Sequence, residues 1–83
     1  MANLVTVKKR KNFDHVIGKE TEQEYDLSND YIAKLAQDRI CEIFHGGIGL
    51  SDAEEFSNAN ALNLVEGDYE MDTGDFTYYI TIK

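Results

Sequence analysis

Cysteine is nearly missing from this chain: Cys41 stands alone, so no disulfide can close within the molecule and a reducing compartment is expected. Histidine is almost as scarce. With only His15 and His45 beside Cys41, a structural zinc site of four Cys or His ligands is excluded. No long apolar run is present, which excludes a membrane-spanning helix, and the first residues lack the apolar centre of a secretory signal. A soluble, cytoplasmic protein is the expectation. Positive charge is the fourth shortage, with eight Lys and Arg against sixteen Asp and Glu. Proline and tryptophan are absent.

What remains points to one folded domain over residues 1–83. A chain of this length buries only about 60–65% of its unfolded surface and has no material for a second core. Five Tyr and four Phe argue against disorder, because disordered acidic segments are poor in aromatics. The net charge of −8 is unevenly spread. Residues 1–19 hold Lys8, Lys9, Arg10, Lys11 and Lys19 against Asp14, a net of +4, while the remainder carries −12. Such a field repels nucleic acid and anionic membrane and speeds encounter with basic proteins.

The acids themselves are patterned. Glu20, Glu22, Glu24 and Asp26 occupy alternate positions, as do Glu66, Asp68, Glu70 and Asp72. On a β-strand, residues two apart share a face at a spacing of about 6.5–7 Å. Each segment then forms a comb of negative charge. Its pitch is close to that of phosphates along a nucleic-acid strand, which advance about 3.4 Å along the axis while also winding around it. An antiparallel sheet with one wet face also needs alternating polar residues. Asp and Glu are depleted from strands, however, and Thr or Lys fills that need without self-repulsion. We therefore take these eight acids, with Asp75 and Tyr79, as candidate partner-binding residues. Two anionic strands directly side by side would repel, so the combs are expected apart unless a partner compensates.

The local patterns predict an α+β fold, an antiparallel sheet of about four strands with one main helix on one face. Leu4–Lys8 reads as the first strand, with Lys8–Lys11 as its exposed end or a turn, where the cations offset the acidic face or discourage edge pairing. Phe13–Ile17 reads as a short second strand closed by Gly18, and Glu20–Leu27 as a third with Tyr25 and Leu27 facing away from the acids. A helix is predicted over about 29–45, with Ser28 as N-cap, Leu27 and Ile32 as a hydrophobic staple, and Gly46–Gly47 as its stop. Its apolar face comprises Ile32, Leu35, Ala36, Ile40 and Ile43, flanked by Ala33 and Phe44. Arg39 falls inside this stripe and is expected to snorkel outward or to pair with Glu42. Ser51 with Glu54 has capping-box spacing, predicting a short second helix at about 52–58, after a connector or brief strand at Ile48–Leu50. The C-terminal segment reads as a hairpin with a two-residue loop at Thr73–Gly74, pairing Met71 with Phe76, Tyr69 with Tyr78 and Gly67 with Ile80. In that register every apolar residue falls on one face.

Other chemistries fit less well. Asp68, Glu70, Asp72 and Gly74 imitate a calcium loop, but the glycine comes one place late and Tyr79 stands where a bidentate Glu is needed. Cys41 and His45 have the helical spacing of a nucleophile and base, without an orienting group or oxyanion hole. No catalytic residue, cofactor or metal is expected.

With size, acidity, lack of proline and the order strand, helix, terminal hairpin in hand, the chain resembles the small phage-encoded inhibitors of the anti-CRISPR type. The helix running into Phe44, His45, Gly46 and Gly47 is similar to the helix-to-strand passage of some type I inhibitors. The resemblance implies binding to a CRISPR effector complex at its DNA-reading surface, in the cytoplasm of an infected host, with Glu66, Asp68, Glu70 and Asp72 pairing to its Lys and Arg. The residues alone support a wider statement: a non-enzymatic binder of a basic nucleic-acid-binding protein or ribonucleoprotein. The alternative is a small structural or assembly module, a homodimer through a sheet edge, whose acids serve solubility.

Overall fold

Val5 and Val7 alternate with Leu4, Thr6 and Lys8, and this period-two pattern becomes strand β1, Leu4–Lys11. The computed structural model describes residues 2–45 and 59–83. Within them follow β2 (Thr21–Asp26), α1 (Asp30–His45), β3 (Gly67–Asp72) and β4 (Phe76–Ile82). The strands form one antiparallel sheet in the order β2-β1-β4-β3. The fold is α+β, with residues 59–62 adding a helical turn before β3. No helix among the described residues is long and apolar enough to cross a membrane.

One face of the sheet carries the core. Val5 and Val7 of β1, Met71 of β3 and Ile80 and Ile82 of β4 pack with Ala36, Ile40, Ile43 and Phe44 of α1 and with Ala61. Full burial of one such aliphatic side chain stabilises the fold by about 1.5–3 kcal/mol. Tyr25 and Leu27 pack against this cluster, as their positions opposite the acids of β2 require.

Several sequence expectations need correction. The run Lys8–Lys11 is the largely exposed end of β1 and not a turn, and it belongs to a central strand paired on both sides, so it protects no sheet edge. Phe13–Ile17 is not a strand. It belongs to the β1–β2 connection, where Val16 N–H donates to the Phe13 carbonyl and Gly18 adopts φ +131°, a conformation that glycine takes at no steric cost. The helix cap is Asn29 rather than Ser28: Asn29 Oδ1 accepts from Tyr31 N at 2.9 Å and Ile32 N at 3.3 Å. Ser28 N–H is instead taken by Asp26 Oδ1, which moves the cap one residue on and takes Leu27 and Ile32 out of staple spacing. Leu35 is 38% exposed, so the apolar stripe runs through Ile32, Ala33, Ala36, Ile40, Ile43 and Phe44.

The hairpin register also differs. Met71 pairs with Tyr78, Tyr69 with Ile80 and Gly67 with Ile82, a shift that leaves Gly74–Asp75 as the two loop residues. Thr73 N–H donates to the Phe76 carbonyl across that turn, and Gly74 has φ +96° at its first central position. Hairpin loops whose first central residue needs positive φ select glycine there, and this placed the turn one residue later than expected. Because the shift is even, the faces survive unchanged. The strand starts at Gly67, so Val65 and Glu66 precede it. The expected helix stop at Gly46–Gly47, the connector Ile48–Leu50 and the helix at 52–58 lie outside the described residues.

Candidate functional site

The four strands place both acidic combs on the same face, opposite the helix. The ladder pairs Glu24 with Thr6, Thr6 with Thr81 and Thr81 with Asp68, so these four side chains form one row across the sheet. The next row is Glu22, Lys8, Tyr79 and Glu70. The acids sit only at the outer ends, since β2 and β3 are the edge strands. Three interstrand steps separate the two combs by about 14 Å, and within each comb the pitch is about 7 Å. Sheet twist rotates one edge against the other by roughly 60–75° over those steps. The strands bearing the combs run antiparallel to one another.

Between the combs the sequence supplies Thr6, Lys8 and Arg10 from β1 and Thr77, Tyr79 and Thr81 from β4. Lys8 and Arg10 point to this face because they alternate with the buried Val5 and Val7 side, and so partly offset the flanking acids. Arg39 and Glu42 form an ion pair at 3.4 Å on the helix, away from this face. A shallow depression of about 210 Å³ lies beside β3, lined by Asp68, Tyr69, Glu70, Tyr79, Ile80 and Thr81. Tyr79 is 41% exposed at its edge.

The candidate acids divide into two groups. Glu22, Glu24, Asp68 and Glu70 are exposed on the strands, projecting from the sheet. The flanking acids do structural work as well. Glu20 Oε2 accepts from Lys11 N at 3.1 Å, and Asp26 Oδ1 accepts from Ser28 N at 2.9 Å. The Ser28 backbone and side-chain hydrogen bonds hold the Asp26 carboxyl below the usual range. Asp72 Oδ1 accepts from Gly74 N at 2.8 Å and from Asn12 Nδ2 at 3.0 Å. Asp75 lies in the turn rather than on the open face, and its carbonyl accepts from Asn12 N. Glu66 lies just ahead of β3. Tyr69 is turned to the core side, where burial pushes its phenol up; its hydroxyl donates to the Val65 carbonyl at 2.7 Å and so fixes the entry to β3.

Other side chains lie away from this face. Tyr31 is exposed on α1, on the covered side of the sheet, and cannot join the acidic face. Cys41 Sγ lies 4.0 Å from His45 Nε2 on the same helix, also away from that face. Arg39 pairs with Glu42 and sets its guanidinium over the Tyr78 ring at 5.6 Å. The signal missed in the sequence was the role of Lys8 and Arg10, whose place between the combs depends on strand order.

Comparison of the chain with family models, curated proteins and solved structures returns no match.

Proposed function

We propose that this chain is a non-enzymatic inhibitor that occupies the basic nucleic-acid-binding surface of a partner protein or ribonucleoprotein, presenting carboxylates where phosphates would lie. The observation that carries the reading is the arrangement of Glu22, Glu24, Asp68 and Glu70 as two antiparallel pairs on one open sheet face. Two strands of a duplex are likewise antiparallel. The separation of about 14 Å is comparable with the width of a B-form major groove, about 12 Å, and well above that of the minor groove, about 6 Å. A surface built to grip both backbones of a duplex therefore matches the geometry better than a single-strand channel. The strands fix the backbone from which the carboxylates project, so little backbone ordering entropy is lost on binding. Tyr79, between the acids, supplies the aromatic contact that interfaces favour.

By its resemblance to anti-CRISPR inhibitors, a CRISPR effector complex in a host cytoplasm is the partner we favour. Pairing two copies through a sheet edge is opposed by the charge of β2 and β3, which would set like charges beside each other. The test is competition: an effector complex loaded with fluorescent duplex DNA is titrated with the chain at low and at high salt. Displacement at low salt that fades at high salt supports the reading. Binding that leaves the duplex in place, or no binding at either salt, contradicts it.

A further inference from the structure

Strand β2 turns one set of backbone groups outward, and the phase of the hydrogen bonds in the sheet says which set. Leu4 N–H donates to the Lys83 carbonyl at 3.2 Å and Lys83 N–H donates back to the Leu4 carbonyl at 3.0 Å, so Leu4 and its alternates Thr6 and Lys8 turn their backbone groups to β4. Val5 and Val7 therefore turn theirs to β2. Leu27 N–H, donating to the Asn3 carbonyl at 2.9 Å, sets the same phase from the other strand, and Tyr25, Gln23 and Thr21 continue it. Glu22 and Glu24 are left with their N–H and carbonyl groups on the open edge, because β2 is the outermost strand. The exposed carboxylates of this comb thus stand on the residues whose backbone can pair with an added strand.

On the other side of the sheet, α1 packs against β2 and leaves an apolar flank beside it. Gln37 Nε2 donates to the Leu62 carbonyl at 3.2 Å, which marks the flank of the helix turned to the chain leading into β3. At 100° per residue, Leu35 and Tyr31 lie about 160° and about 120° around the helix from Gln37, on the flank that overlooks β2. They are 38% and 68% exposed. A strand laid against β2 would send alternate side chains to the two faces, one set beside Glu22 and Glu24 and the other toward Leu35 and Tyr31. Strand β3 has the same backbone phase, but its helix side is already occupied: Met71 is buried and the Tyr69 hydroxyl holds the Val65 carbonyl.

A second copy of this chain is a poor occupant, since like charges directly opposite one another destabilise a strand pair, whereas opposite charges there stabilise it. We propose that β2 is a strand-addition site for an extended segment of another protein in which Lys or Arg alternates with apolar residues. The segment runs antiparallel to β2, its cations opposite Glu22 and Glu24 and its apolar residues against Leu35 and Tyr31. Main-chain hydrogen bonds hold such a strand, and the alternation of its side chains selects it. The contact goes beyond the duplex-mimic reading and needs no acid of β3, so either can fail without the other.

The experiment titrates a blocked heptapeptide of alternating Lys and Val, with Lys at both ends, into the isotope-labelled chain at low salt and follows amide hydrogen exchange by NMR. Exchange should slow at Glu22 and Glu24 far more than at Gln23, whose N–H already faces β1. In antiparallel pairing, residues directly opposite exchange both bonds, so methylating the lysine backbone nitrogens should abolish binding and methylating the valine nitrogens should not. Glu22→Lys with Glu24→Lys should lose the peptide, with Glu22→Gln and Glu24→Gln as the isosteric pair if the reversals unfold the chain by circular dichroism. Leu35→Ser should weaken binding, and Asp68→Asn with Glu70→Gln should leave it at the wild-type level. Absence of binding at low salt overturns the proposal. So does equal affinity for the lysine-methylated peptide, indifference to the Leu35 change, or slowing at Asp68 and Glu70 in place of Glu22 and Glu24.

Discussion

Asn12 Nδ2 donates to Asp72 Oδ1 at 3.0 Å, joining positions 60 residues apart in sequence. The bond fastens the end of β1 to the end of β3 across β4, which lies between them in the sheet. It also shows why the acids of a comb are not equivalent: Asp72 is held by the turn, whereas Asp68 and Glu70 stand free of any such bond on the strand. Thr77, buried in the same corner, donates its hydroxyl to Asn12 Oδ1.

Asn12→Ala should therefore destabilise the fold by about 1–3 kcal/mol, since it leaves the buried Thr77 hydroxyl without its acceptor. Urea unfolding followed by circular dichroism measures it. Glu24→Gln, at an exposed strand position, should stay within about 0.5 kcal/mol of wild type.

The shifted helix cap separates two neighbouring residues. Asn29→Ala removes the side chain that accepts from Tyr31 and Ile32 and should cost about 0.5–2 kcal/mol, while Ser28→Ala should cost far less. Equal losses in paired thermal melts would restore Ser28 as the cap.

Gly18 and Gly74 both need positive φ, but only Gly18 is also crowded. A residue with a side chain held in such a conformation costs of order 1–3 kcal/mol. Gly74→Ala should show that cost alone, because nothing lies within 4 Å of its added methyl. Gly18→Ala should lose more, since the Phe76 ring must also move. Denaturant midpoints of the two variants give the order directly.

Asp26 sets a pH dependence. The Ser28 hydrogen bonds it accepts hold its folded carboxyl below the ordinary aspartate value. A depressed folded value means the stabilisation is present above the unfolded value and disappears as pH falls through the folded one. The stability difference between wild type and Asp26→Asn should thus be constant near neutral pH and shrink below about pH 3.8, the unperturbed value. A difference unchanged down to strongly acid pH would contradict it.

Much of this molecule could be read from residue patterns because its periods are clean. The alternation in Gly67–Asp72 and Phe76–Ile82 assigns faces whatever the register, so the acids could be placed outward even though the loop was set one residue early. Helix α1 was visible from Ala36, Ile40 and Ile43. Strand order was not. Nothing local in Thr21–Asp26 or Gly67–Asp72 says that both are edges, or that the basic β1 lies between them, because that follows from pairings across the whole chain. Phe13–Ile17 has strand-like composition, and its conformation is decided by Asn12 and Phe76, distant contacts with no signature in the segment itself. The same dependence hid the gathering of both combs on one surface.

The most direct test of the account is the salt dependence of binding to a duplex-loading partner, measured for each comb in turn. Every carboxylate that replaces a phosphate should contribute to the slope of log affinity against log salt concentration, as phosphate contacts do. Glu22→Gln with Glu24→Gln on β2, and Asp68→Asn with Glu70→Gln on β3, should each weaken binding and flatten that slope, and the four changes together should abolish displacement of the duplex. If either pair leaves affinity and slope at the wild-type values, the two rows do not act as one phosphate-like surface, and the mimicry account fails.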